Sequence, residues 1–100
     1  MRVGLLGHGY WGKILLSKLE MFDDVEIVWI YTSKDIDRFD EYVDIDWVFI
    51  TTPNDAHYKH TKYFIERGIN VFCEKPLTPT YKQSNELFEL AKKHNVKLYV

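Results

Sequence analysis

The sequence predicts an α/β protein built on a doubly wound, five-stranded parallel sheet with helices on its faces. Short apolar segments rich in β-branched residues alternate along the chain with segments whose apolar residues recur at helical spacing. The apolar segments, such as VEIVWIY, are nearly continuous, which is typical of strands buried on both faces of a parallel sheet. Right-handed crossovers then give the strands the spatial order second, first, third, fourth, fifth.

The individual elements follow from the same periodicity and from helix and strand breakers. We predict strands over residues 2–6, 25–31, 46–51, 70–73 and 97–100, and helices over residues 11–22, over residues 56–67 and from Thr78-Pro79 onward. Pro53 stops the third strand, and Gly68 stands just past the second helix, where glycine commonly follows the last turn. Residues 33–45 are acid-rich and irregular, with one helical turn expected around residues 38–42.

The composition indicates one soluble globular domain over residues 1–100 and excludes several classes of protein. Hydrophobic residues make up 46% of the chain and charged residues 28%, which suits a single core. A formal net charge of -2 provides no basic surface for nucleic acid, and no apolar run is long enough for a transmembrane helix. The single cysteine, Cys73, cannot form an internal disulfide, so we expect a reducing, cytoplasmic location and a buried, unreactive thiol.

Three glycines follow the first predicted strand with the spacing Gly7-x-Gly9-x-x-Gly12. Between a strand and a helix, their missing side chains would let backbone amides approach a pyrophosphate at the helix N-terminus. The motif is weak when it stands alone, because a glycine-rich turn can also serve only to pack a helix against a strand. Trp11, inside the motif, either faces the core or lines the cofactor.

Two further unusual stretches follow the third and fourth predicted strands. They are Thr51-Thr52-Pro53-Asn54 and Glu74-Lys75-Pro76. Because the carboxyl ends of parallel strands lie at one edge of a sheet, both stretches should meet the glycine motif at the switch point between the first and third strands. The coincidence of three such stretches favours a dinucleotide site at this edge.

The segments GHGYWGK, ITTPNDAH and CEKPLTPT, in this order and spacing, resemble the Gfo/Idh/MocA oxidoreductase family over nearly the whole chain. The resemblance implies the N-terminal, Rossmann-like NAD(P)-binding domain of an enzyme that oxidises or reduces a hydroxyl or carbonyl group of a sugar or nucleotide-sugar by hydride transfer. It also implies a cis bond between Lys75 and Pro76 and a catalytic Lys75 ammonium near the reacting carbon. Glu74 and the Thr52-Pro53-Asn54 turn would surround the nicotinamide, with His57 close to the pocket.

The predicted cofactor-binding set combines these stretches with the chain after the second strand. Its members are Gly7, His8, Gly9, Tyr10, Trp11, Gly12, Thr32, Ser33, Lys34, Thr51, Thr52, Pro53, Asn54, His57, Glu74, Lys75 and Pro76. A lysine at a strand terminus can stabilise a substrate alkoxide, although it can also be an ordinary solvated side chain. His57 could equally be a structural histidine at its helix, and since no third ligand accompanies His57 and His60, we predict no metal site.

The choice between NADP and NAD depends on the residues about twenty positions after the glycine motif. NAD-specific domains place an acid there to bind the ribose hydroxyls, whereas this chain has Thr32, Ser33 and Lys34. Two hydroxyls and an ammonium would hold a 2′-phosphate, so we favour NADP. Asp35 would support NAD if the register were slightly different.

Two departures from the family pattern shape the expected function. Residues 33–45 are too few for the helix and strand that usually intervene there, so the adenine side of the pocket should be more open. The second domain, which carries the family's catalytic Asp and His, is missing from this sequence, so we expect cofactor binding without complete turnover. A non-catalytic nucleotide-binding module, a subunit that needs a partner chain, and another doubly wound fold remain alternatives. The apolar final segment, KLYV, should form a sheet edge that favours self-association.

Overall fold

A computed structural model of the chain describes residues 1–31 and 44–100. Within these ranges the elements are β1 (Arg2–Leu6), α1 (Tyr10–Leu19), β2 (Glu26–Tyr31), β3 (Trp47–Ile50), α2 (His57–Glu66), β4 (Asn70–Cys73), α3 (Tyr81–Lys93) and β5 (Leu98–Tyr99). A 3₁₀ turn, Asn54–Ala56, leads into α2. All strand pairs are parallel and their order is β2-β1-β3-β4-β5, which confirms the predicted fold class and strand order.

One face of the sheet forms the main core beneath α2 and α3. Its strand residues are Leu6, Val48, Ile50, Val71, Cys73 and Leu98, all buried. Phe64 and Ile65 of α2 and Leu87 of α3 pack against them and are fully buried. Burial of each such large apolar side chain stabilises the fold by about 1.5–3 kcal/mol, so this layer supplies most of the driving force.

The opposite face of the sheet carries a row of aromatic rings and is only half covered. The register brings Phe49 beside Phe72 with ring centroids 5.5 Å apart, and Trp47 stacks 5.7 Å from Tyr99. The strands β3 and β4 therefore alternate between buried and half-buried residues, and in β2 only Trp29 is buried. The prediction of burial on both faces is wrong for these three strands. The reason is topological, because the two crossovers through α2 and α3 lie on the other face and, in the described chain, α1 alone approaches this one.

Two helix boundaries differ from the sequence prediction. The first helix ends at Leu19 rather than at Phe22. The amides of Met21 and Phe22 donate to carbonyl oxygens three residues back rather than four, so the α-helical pattern stops there. Phe22 is 58% exposed and does not pack on the sheet as a helix residue would. The third helix begins at Tyr81, not at Thr78-Pro79, because the Thr80 hydroxyl accepts a hydrogen bond from the Gln83 amide.

The remaining predictions divide into three groups. The helix end at Gly68 is confirmed by its left-handed φ of +76°. The last strand is shorter than expected and occupies the sheet edge, where Tyr99 is exposed, and self-association through that edge stays a prediction. The predicted helical turn around residues 38–42 and the cofactor residues Thr32, Ser33 and Lys34 lie outside the described residues.

Within residues 1–31 and 44–100, no helix is both long enough and apolar enough to span a membrane.

Candidate dinucleotide-binding site

The loop between β1 and α1 uses its three glycines in two different ways. Gly7 has a φ of +109°, and an added Cβ would lie 2.5 Å from the Thr51 hydroxyl and 2.8 Å from the Thr51 carbonyl carbon. A Cβ on Gly12 would lie 2.5 Å from the Gly7 carbonyl oxygen. A Cβ on Gly9 would meet no atom within 4 Å. Packing therefore requires two of the glycines, and the middle one opens onto free space.

The N-terminus of α1 faces this free space without a capping group. The Lys13 amide is bonded to the Gly9 carbonyl oxygen at 3.0 Å, so the three amides before it have no acceptor within the helix. The first turn has neither a side-chain cap nor an acidic residue. Nδ1 of His8, in the same loop, is buried and has no hydrogen-bond partner among the described residues. Together with the helix dipole, the three amides without an acceptor in the helix fit an anionic group such as a pyrophosphate.

The three predicted stretches meet at one edge of the sheet, as expected. The parallel ladder continues past the strands, because the Thr51 amide donates to Leu6 O at 2.8 Å and the Glu74 amide donates to Ile50 O at 2.9 Å. The Gly7 amide likewise donates to Tyr31 O at 2.6 Å. The loops after β1, β3 and β4 thus leave the sheet side by side, and we refer to this edge as the rim.

A cavity of about 180 Å³ lies between α1 and the rim. It is lined by Trp11, Ile14, Leu15, Lys18, Thr51, Phe72 and Glu74. Trp11 is 59% exposed, so of the two positions considered for it, the structure places it on the cavity wall rather than in the core. The Tyr10 ring is exposed and stands edge-on to the Trp11 ring at 5.1 Å.

Two residues of the predicted set, Thr52 and His57, turn their side chains inward behind the rim. The Thr52 hydroxyl lies 3.1 Å from Nδ1 of His60, and both side chains are buried. The His57 ring is fully buried between two backbone oxygens, those of Thr52 and Pro76. Burial lowers the pKa of His60 to about 4, with the neighbouring Lys59 and His57 adding to the effect, so His60 is neutral at pH 7. Sequence reasoning missed this role of His60, for which the only signal was its position three residues after His57.

The exposed residues of the rim are those after β3 and β4. The bond between Lys75 and Pro76 is cis, as the family resemblance implies. Lys75 and Pro76 are exposed, and so are Pro53 and Asn54 on the neighbouring loop, whereas Glu74 is partly buried and lines the cavity. An exposed ammonium beside a partly buried carboxylate gives this part of the rim groups that can donate to and accept from a substrate hydroxyl.

Among the described residues, neither the Cys73 thiol nor a cluster of metal ligands is expected to take part in the chemistry of this site. Burial raises the pKa of the Cys73 thiol to about 12, so the thiol stays protonated and is a poor nucleophile at neutral pH. No cluster of three or more His, Cys, Asp or Glu side chains that could hold a metal ion occurs in the described ranges.

The observed strand order, with a glycine loop and an open helix N-terminus at the switch point, defines a Rossmann-type dinucleotide-binding domain. The chain belongs to the Gfo/Idh/MocA family, whose model is described as an oxidoreductase family with an NAD-binding Rossmann fold and matches residues 1–100. This finding confirms the resemblance carried by the three sequence motifs.

Known relatives agree with this assignment and are considerably longer. The scyllo-inositol 2-dehydrogenase (NADP(+)) IolW of Bacillus subtilis is 30% identical, with a match that covers 100% of this chain and 32% of that protein. The 2,7-anhydro-N-acetylneuraminate hydratase of Mediterraneibacter gnavus is 34% identical over 92% of this chain and 29% of its own length. The crystal structure of a Gfo/Idh/MocA family oxidoreductase from Vibrio cholerae superimposes with a TM-score of 0.86 at 26% identity, covering 100% of this chain and 38% of that one. The chain thus spans about a third of the length of these relatives.

Proposed function

We propose that this chain is the cofactor-binding domain of an NAD(P)-dependent oxidoreductase. The enzyme would oxidise or reduce a hydroxyl or carbonyl group of a sugar or nucleotide-sugar by hydride transfer, in the cytoplasm. The observation that carries the proposal is the free space at Gly9 in front of the uncapped N-terminus of α1. The names of two relatives, which refer to scyllo-inositol and to 2,7-anhydro-N-acetylneuraminate, support a polyhydroxylated substrate.

In this proposal, one group of residues binds and orients the cofactor. The amides of the first turn of α1 bind the pyrophosphate, and the absence of a side chain at Gly9 leaves room for it. Trp11 and Glu74 line the adjoining cavity and orient the cofactor. When bound, the nicotinamide ring supplies the hydride acceptor or donor.

In this proposal Lys75 is the catalytic residue of the domain. Its ammonium donates a hydrogen bond to the substrate oxygen and stabilises the alkoxide from which hydride leaves. Its exposure at the rim supports the role, because a substrate held by another part of the enzyme can reach it. We propose that a further domain, of the kind that the longer relatives have room for, supplies the remaining substrate contacts and the base that accepts the hydroxyl proton as the alkoxide forms.

The cofactor preference is a separate part of the proposal. We favour NADP, because Thr32, Ser33 and Lys34 can hold a 2′-phosphate and because IolW is named as an NADP(+) enzyme. Calorimetric titration of the chain with NADP and with NAD tests both statements. We expect tighter binding of NADP and, in Lys34→Glu, a loss of NADP affinity of about 10- to 100-fold with NAD affinity unchanged.

The matched control is Lys93→Glu, which makes the same charge change at an exposed position in the last turn of α3. Equal affinities for the two cofactors in the wild type, or an equal loss in the control, would refute the preference. Failure of both cofactors to bind would refute the proposed function itself.

A further inference from the structure

The His57 ring has an unusual set of partners. Its Nε2 lies 2.7 Å from the carbonyl oxygen of Thr52, and its Nδ1 lies 2.7 Å from the carbonyl oxygen of Pro76. A carbonyl oxygen can only accept a hydrogen bond, and a neutral imidazole has one N–H and one lone pair. Both contacts are hydrogen bonds only if both ring nitrogens carry a hydrogen, which is the cationic imidazolium.

The surroundings of the ring are compatible with a buried cation. His57 is fully buried, and a buried charge is less costly when each of its donors has a hydrogen-bond partner. Two donors with partners at 2.7 Å meet that condition, and this length is typical of charge-assisted hydrogen bonds. The neighbouring ring of His60 is neutral at pH 7, since burial lowers its pKa to about 4, so it adds no second charge.

The two carbonyl groups belong to different loops of the rim. Thr52 stands in the loop after β3, and Pro76 stands in the loop after β4, directly following Lys75. The described backbone ladder between these two loops ends at the hydrogen bond from the Glu74 amide to Ile50 O. Beyond that bond, the ring of His57 connects the two loops through its contacts with both carbonyl oxygens.

We propose that His57 is a positioning residue, an imidazolium that donates one hydrogen bond to each loop and thereby fixes Lys75 and the Thr51–Pro53 segment relative to each other. The role in cofactor binding rests on the proposed function, whereas the charge and the two donated bonds do not. His57 does not touch the cofactor in this account, because its ring is fully buried and both nitrogens are engaged. The inference also explains why the side chain of His57, which follows the loop after β3, points away from the cavity.

The direct test is the ring ¹⁵N spectrum of the wild-type chain at pH 7. The chain has four histidines, so His57→Gln assigns the His57 signals by their disappearance. We expect both His57 nitrogens to show the shifts of protonated nitrogen, each coupled to a ring proton. The neutral His60 provides an internal control with one nitrogen that carries no hydrogen. A nitrogen without hydrogen in the His57 ring would overturn the proposal. The spectrum is recorded on the wild type, and His57→Gln is needed only to assign it.

A second measurement separates positioning from a merely structural role. Because His57→Gln cannot donate from two places to both loops, we expect the dissociation constant for NADP to rise at least about tenfold at a temperature where circular dichroism shows the variant folded. The exposed His94 provides the control, and His94→Gln should bind as the wild type does. A folded His57→Gln variant with unchanged affinity and a lowered thermal midpoint would overturn the positioning role.

The two tests also distinguish failure of this proposal from failure of the proposed function. If the wild type binds neither NADP nor NAD, the proposed function and the role of His57 in cofactor binding are both refuted. The ring spectrum then still decides whether His57 is the doubly donating cation.

Discussion

The glycine loop after β1 and the two loops after β3 and β4 reach the same rim, but they are held in place in opposite ways. The glycine loop is fixed by the close packing of backbone on backbone, with Gly12 against the Gly7 carbonyl group. The other two loops are fixed by buried side chains, since His57 contacts both of them and His60 contacts Thr52.

The difference teaches how one rim can separate binding from chemistry. A loop whose glycines leave space in front of its amides can hold an anion, which suits the pyrophosphate, the group that is the same in every nicotinamide dinucleotide. Loops held from behind by buried histidines can present the exposed side chain of Lys75 at a fixed place, which suits a reacting group. Changes in the first loop should therefore affect binding or folding, and changes at the tips of the others should affect turnover.

The largest effect is expected for Lys75→Met in the intact enzyme, assayed with a sugar or polyol that the wild type turns over. Removal of the ammonium leaves the developing alkoxide without its hydrogen bond, so kcat should fall by about 10²- to 10³-fold. The dissociation constant of the cofactor should stay within about twofold of the wild-type value, since the phosphate-binding amides are untouched. Lys82→Met, at an exposed position in α3, is the control and should retain activity. Near-normal turnover of Lys75→Met would remove this residue from the active site.

An effect of comparable size, on stability rather than on turnover, is expected for Gly7→Ala. The new methyl group would lie 2.5 Å from the Thr51 hydroxyl in a backbone with a φ of +109°. Left-handed strain and overpacking together should lower the free energy of unfolding by about 2–5 kcal/mol. Urea denaturation measures this loss, and Gly9→Ala is the matched control because its methyl group meets nothing within 4 Å. Equal stability of the two variants would contradict the distinction between packed and open glycines.

Local patterns allowed much of the fold and of the glycine loop to be predicted from the sequence. The strand order follows from the alternation of strands and helices and from the handedness of crossovers, and the motif at Gly7, Gly9 and Gly12 is short enough to be recognised without the structure. Three features could not be predicted in this way. The contact of His57 with Pro76 joins residues 19 positions apart, and no pattern reveals it. Nor does the sequence show that the Thr52 side chain turns inward to His60.

The third feature is the half-covered aromatic face. Phe49 and Phe72 are as apolar as the residues of the buried face, so composition and periodicity treat the two faces alike. Their partial exposure depends on which face of the sheet the helices cover, and this is set by the direction of the crossover connections. The start of α3 differs from the prediction for another reason, because the pattern Thr80-x-x-Gln83 is itself a local signal of a helix N-terminus and the prediction followed the nearby proline instead.

The most direct test of the central claim, that the loop from Gly7 to Gly12 binds a dinucleotide, is calorimetric titration of NADP into the wild type and Gly9→Val. The valine side chain would stand in free space on an extended backbone with a φ of -85°, so the stability of the fold should change by no more than about 1 kcal/mol. The same side chain would occupy the place of the pyrophosphate, and we expect NADP affinity to fall by at least about 100-fold. Equal affinity of the two proteins would contradict the account and place the cofactor, if it binds at all, elsewhere on the chain.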